Sequence, residues 1–129
     1  MALRLVERKA RRTKASVSIS GKYNRLLIFQ KAYSLMKEKF GNEFEYVQFF
    51  VDDSRKGCFW LKPCAKTDTA ATPINKTGNN RLCSISALIG ELEWEKKETV
   101  SFGIEYDAKN RAWLVNTSAP LALPPGEES

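Results

Sequence analysis

A chain of 129 residues, 43% hydrophobic and 28% charged with a net charge of +6, has the size and composition of one globular domain able to bury a sizeable core. Its apolar runs, such as residues 26–29, fall far short of the roughly 20 residues of a membrane span, and its basic stretch follows a short apolar start instead of preceding one as in a secretory leader, so a cytoplasmic location is expected. There is no histidine, and the three cysteines, Cys58, Cys64 and Cys83, have no CxxC spacing; this excludes imidazole bases, Ser-His and Cys-His nucleophile pairs, and His-containing or four-thiolate zinc sites.

The charge is uneven along the chain. Residues 1–40 hold 11 Lys/Arg against Glu7 and Glu38, whereas residues 41–129 hold 10 against 13 Asp/Glu. Arg4, Arg8, Lys9, Arg11, Arg12 and Lys14 lie in a segment with little apolar periodicity, so residues 1–15 read as a flexible basic arm. A polyanion such as nucleic acid is the natural partner of such an end; the competing reading is a solvated tail.

After the arm, residues 17–20 alternate like a half-buried strand, Gly21-Lys22 reads as a two-residue turn, and residues 23–28 return. From Phe29 the period changes: Phe29, Ala32, Tyr33, Met36 and Phe40 fall on one helical face, with Gly41 at the C-cap and Lys37 and Lys39 in the last turn. Residues 46–51 are aromatic and β-branched and read as a strand. Residues 53–57 are turn chemistry, and residues 58–62 form the strand back, stopped by Pro63. Residues 64–80 carry few large apolar side chains and read as a long connection, with a short strand at 81–84. Ile85, Leu88, Ile89 and Leu92 mark a second, shorter helix. Residues 99–106 alternate, residues 107–110 turn, residues 111–116 return, and residues 118–129 read as a loose tail.

The expected fold class is therefore α+β: antiparallel strands in hairpins with two amphipathic helices packed on the sheet, in one domain over residues 16–117. The two long hairpins superpose at an offset of 53 residues, laying residues 45–51 on 98–104 and Phe59-Trp60-Leu61 on Ala112-Trp113-Leu114. This admits two pseudo-repeated helix–hairpin units; the alternative is that two aromatic-rich hairpins align by composition alone.

Chemistry-bearing motifs are scarce. GxxxxGK[ST], GxGxxG and GxSxG are all absent. Asp52-Asp53 and Glu105 with Asp107 sit at hairpin turns, where carboxylates are favoured for backbone reasons, and the thiols read as small buried hydrophobes. No enzyme activity, metal or cofactor is expected. Aromatics interleaved with bases are more suggestive: Lys22, Arg25, Lys56, Trp60 and Lys62 are of the types that neutralise phosphates and stack bases. Cys58, Trp60 and Lys62 share a face opposite Phe59 and Leu61, so both faces of that strand carry an aromatic. Either the Trp60–Lys62 face is an open nucleic-acid-binding surface, with Trp60 as the first choice for stacking, or a second subunit covers it.

The stretch 17–63, "VSISGKYNRLLIFQKAYSLMKEKF…YVQFFVDDSRKGCFWLKP", resembles the AbrB/MazE-type swapped-hairpin DNA-binding module, in which a strand and Gly turn lead to a helix and a hairpin ends in an I-x-L-x-P-like strand, here Phe59-Trp60-Leu61-Lys62-Pro63. The resemblance implies a dimer with exchanged hairpins that binds duplex DNA through basic residues of the early strands, by position Lys22 and Arg25. Residues 64–129 have no counterpart in the module. The expectation is a small non-catalytic nucleic-acid-binding protein of bacterial or phage type and a homodimer, with Arg8, Lys9, Arg11, Arg12 and Lys14 on phosphates. The alternative is an inhibitor or adaptor that docks an acidic protein surface.

Overall fold

The computed structural model describes residues 15–121. Among the described residues, ten strands and two helices follow one another. The first half comprises β1 (Ser16–Ser20), β2 (Arg25–Ile28), α1 (Gln30–Phe40), β3 (Tyr46–Val51) and β4 (Cys58–Cys64). The second comprises β5 (Thr72–Pro73), β6 (Asn75–Thr77), β7 (Asn80–Ser84), α2 (Ser86–Leu92), β8 (Thr99–Gly103), β9 (Glu105–Asp107) and β10 (Ala112–Asn116). The strands form two five-stranded sheets with the orders β6-β7-β2-β1-β8 and β5-β3-β4-β10-β9, and every pairing is antiparallel. The α+β class follows.

The sheets are joined at both sides. Only Ile74 separates β5 from β6, and only Ile104 separates β8 from β9. The Ile74 amide donates to the Glu45 carbonyl (2.9 Å) and the Ile104 amide to the Ala15 carbonyl (3.1 Å), so pairing continues across both breaks. A ring of strands results, and one core lies inside it. Val17, Ile19, Leu26 and Ile28 enter it from the first sheet, Val47, Phe59, Leu61 and Val115 from the second. These alternate residues are apolar because a strand presents every second side chain to the same face. Ala32, Tyr33 and Met36 of α1 and Leu88 of α2 complete the same cluster.

α1 begins and ends where the change of period places it. Gly41 adopts φ +96°, and its amide donates to the Lys37 carbonyl (2.9 Å), a left-handed cap that a residue without Cβ adopts at little cost. The Tyr33 hydroxyl donates to the Phe44 carbonyl (3.2 Å), and the rings of Tyr33 and Phe44 lie 4.7 Å apart. Phe40, assigned to the buried face, is the last residue of α1 and is exposed, its ring edge-to-face with Phe44 at 5.9 Å.

Four local expectations are corrected. The β1–β2 turn takes four residues, 21–24, with Asn24 left-handed at φ 53°, and β2 opens at Arg25. Pro63 does not stop β4, which runs on to Cys64: beyond Leu61 no β10 residue pairs with β4, so a missing N–H is tolerated there. Residues 64–80 are not one connection, since β5, β6 and the first residue of β7 lie within them. These strands are held by pairing with β3 and β7, not by an apolar face, and Ile74 is their buried anchor. Residues 118–121, assigned to the tail, pair with β8 through a Phe102–Pro120 bridge and a Leu121 amide donating to the Ser101 carbonyl (2.8 Å).

Candidate nucleic-acid interface

The residues singled out in the sequence fall in separate places. Arg8, Lys9, Arg11, Arg12 and Lys14 lie outside the described residues. Ala15, the first described residue, is buried immediately before β1. Lys22 and Arg25 stand at the other end of β1, about 17 Å along a five-residue strand. Lys56 belongs to the β3–β4 turn, whereas Trp60 and Lys62 lie on the face of β4 that points away from the core.

Trp60 is not an open stacking platform. It is only 4% exposed and packs with Cys58, Ala112 and Leu114 in a small cluster outside the main core. Its indole N–H donates to Asp107 Oδ2 (2.9 Å), and the Arg55 guanidinium lies 5.5 Å from its ring centroid. Asp107 is anchored in turn: Asn110 Nδ2 donates to Oδ2 (2.7 Å) and the Lys109 amide to Oδ1 (3.1 Å). The Asn110 and Trp60 hydrogen bonds hold the Asp107 carboxyl below its ordinary range, so it stays an anion over this face. Alternation correctly assigned the face; what it cannot show is that Arg55 of the β3–β4 turn and Asp107 at the end of β9 meet the indole.

Beside Trp60, its cross-strand neighbour Phe50 is 45% exposed. The two border a groove of about 540 Å³ that Lys62 and Asn110 line together with Asp52 and Asp53. Lys56 and Arg55 share the adjoining concavity with Asp52, Asp53, Glu91 and Glu93. Hydrogen bonds from Ser54 hold Asp52 low in pKa as well. With the carboxylates at least as numerous as the cations, this face offers a polyanion little electrostatic gain.

The β1–β2 turn is different. Tyr23 is 60% exposed, with Lys22 Nζ 5.4 Å and the Arg25 guanidinium 5.7 Å from its ring centroid. The turn is also fixed from behind. The Lys22 amide donates to the Lys97 carbonyl (3.2 Å), and any Cβ at Gly21 would overlap the Lys96 carbonyl and touch Trp94 (3.2 Å). Trp94 packs edge-on against Phe102 at 5.8 Å, and Lys96 Nζ lies 5.7 Å from the Trp94 ring. The backbone of Lys96 and Lys97 thus abuts the turn that carries Lys22, Tyr23 and Arg25, with Glu95 and Glu98 on the same segment. Sequence reading missed the two lysines. Only the β1–β8 register, with Ser20 opposite Thr99, brings residues 96–98 beside 21–23.

Among the described residues, no group of three or more His, Cys, Asp or Glu is placed to hold a metal ion, and no helix is long and apolar enough to cross a membrane. No family model, curated protein or solved structure matches the chain.

Proposed function

We propose that this chain is a small non-catalytic nucleic-acid-binding protein, with DNA preferred to RNA, that works without a cofactor and as a homodimer in the cytoplasm. The observation that carries the reading is the exposed Tyr23 with Lys22 and Arg25 beside it on a turn braced by the Lys96–Lys97 backbone. Charge supports it: residues 15–121 hold 15 Lys/Arg against 12 Asp/Glu, and residues 1–14 add six Lys/Arg against Glu7 alone. The arm supplies most of the attraction, and the turn gives the strand a place to rest. Neutralising about five phosphates makes log affinity fall with log salt at a slope of roughly −4 to −5 on duplex and somewhat less on single strands. Gel shifts at several salt concentrations test this. Replacing Arg8, Lys9, Arg11, Arg12 and Lys14 with Gln should flatten the slope; a wild-type affinity indifferent to salt overturns the reading.

A second reading is an adaptor that docks an acidic protein surface, favoured by the exposed Phe50 and Val51 on an otherwise mixed-charge face. The same Gln-substituted arm separates the two, since a complex made through that face survives it.

The reading extends to a duplicated strand–strand–helix–strand–strand unit. Register supports the duplication: Val17 pairs with Phe102 and Val47 with Thr72, so the two ladders interchange at an offset of 55 residues, two more than the hairpin alignment suggests. The pairs β2–β7 and β4–β10 would then flank the pseudo-twofold axis. On this equivalence Tyr23 corresponds to Gly78, so only one of the two turns carries an aromatic.

A further inference from the structure

We infer that the β1–β2 turn is a single-strand-binding surface, in which a base stacks on Tyr23 while Lys22, Arg25, Lys96 and Lys97 contact the flanking phosphates. The inference rests on the nucleic-acid reading above and narrows it to one form of the polymer and one stacking residue. Three observations converge on this surface. The Tyr23 ring, with Lys22 and Arg25 beside it, is still 60% exposed at the tip of a tight turn, whereas Trp60 is only 4% exposed. Stacking on an isolated ring requires a base free of its own neighbours, which a single strand offers and an intact duplex does not. Cations are carried by both segments, Lys22 and Arg25 beside the ring and Lys96 and Lys97 on the stretch whose backbone meets the turn. The surface is also preorganised: the Lys22 amide is bonded to the Lys97 carbonyl, and Gly21 sits against the Lys96 carbonyl, so binding orders side chains but not the loop.

Glu95 and Glu98 lie on the same segment and repel phosphate, which sets the partner apart from a merely charged one. An acidic polypeptide brings charge but no base to stack, and should bind this surface poorly.

The test uses the full-length protein, a fluorescently labelled oligothymidylate, and a hairpin duplex of equal phosphate number, followed by anisotropy at two salt concentrations. Tyr23→Ala should weaken oligothymidylate binding about tenfold and duplex binding far less, while Tyr23→Phe, which keeps the ring, retains wild-type binding. Lys96→Gln and Lys97→Gln should each reduce the salt slope on the single strand by about 0.7. Polyglutamate should compete far less well than unlabelled oligothymidylate. Equal losses on single strand and duplex, an unchanged affinity in Tyr23→Ala, or polyglutamate competing as well as the oligonucleotide each overturn the inference while leaving nucleic-acid binding in place. A wild-type protein that binds neither polymer overturns the broader reading instead. Because Tyr23 is largely solvent-exposed, an unchanged melting temperature in Tyr23→Ala separates lost contact from lost fold.

Discussion

The three cysteines show how far environment divides identical side chains. Cys83, on β7, is buried in the main core, and burial alone pushes its thiol from 9.0 up to about 12. Cys64 is raised as well, chiefly by burial and further by Asp68, with Lys62 working in the opposite direction. A thiol whose folded pKa exceeds its unfolded value stabilises the fold below the unfolded value, and that stability is lost as pH rises. Stability should therefore decline from about pH 9 towards pH 12 as the unfolded thiolate becomes favoured, and Cys83→Ala should lose much of that alkaline slope in denaturant melts. At pH 8 a disulfide-exchange reagent should leave Cys83 untouched in the native protein and modify it only on unfolding. Rapid native labelling of Cys83 would contradict the burial described. The sequence identified small buried thiols correctly, but a residue's type does not tell which one lies deepest.

At the level of elements, legibility follows the range of the interactions. α1 and its Gly41 cap were readable because helical periodicity and capping are local, and the paired residues lie within four positions of one another. The alternation of β1, β4 and β8 was readable for the same reason. β5 and β6 were not, because residues such as Thr72, Asn75 and Lys76 are strand only through partners 25 residues back or a few residues ahead. The candidate site shows the same division. Lys22 and Arg25 could be singled out from composition, whereas the joining of residues 96–97 to that turn depends on a ladder between β1 and β8 some 80 residues apart in sequence. Gly21 tests that junction. Adding a methyl group there drives it into the Lys96 carbonyl, so Gly21→Ala should cost about 1–3 kcal/mol as segment 94–97 is forced outward. Chemical denaturation measures the cost, and the Trp94 emission should shift as its packing on Phe102 loosens. If Gly21→Ala were as stable as wild type, the turn and residues 94–97 would not be in contact.

For the whole molecule, the question is whether two sheets make one cooperative unit. Their strands are continuous through Ile74 and Ile104, and residues of both sheets belong to one buried cluster, so neither sheet can open without exposing the apolar face of the other. Leu61 and Cys83 provide probes on opposite sheets: Leu61 is fully buried on β4, and Cys83 lies on β7. Leu61→Ala leaves a cavity and should cost about 2–5 kcal/mol. If the ring unfolds as a unit, that entire loss appears at the far sheet, as earlier denaturant-induced exposure of the Cys83 thiol, with the same midpoint as the tryptophan fluorescence, to which Trp60 and Trp113 contribute from the mutated sheet. Cys83 protection that stayed at its wild-type midpoint while the fluorescence transition moved would mean that the sheets unfold separately. The turn bearing Tyr23 would then be anchored by half of the molecule only, since β1, β2 and the β8 strand beside them all belong to the first sheet.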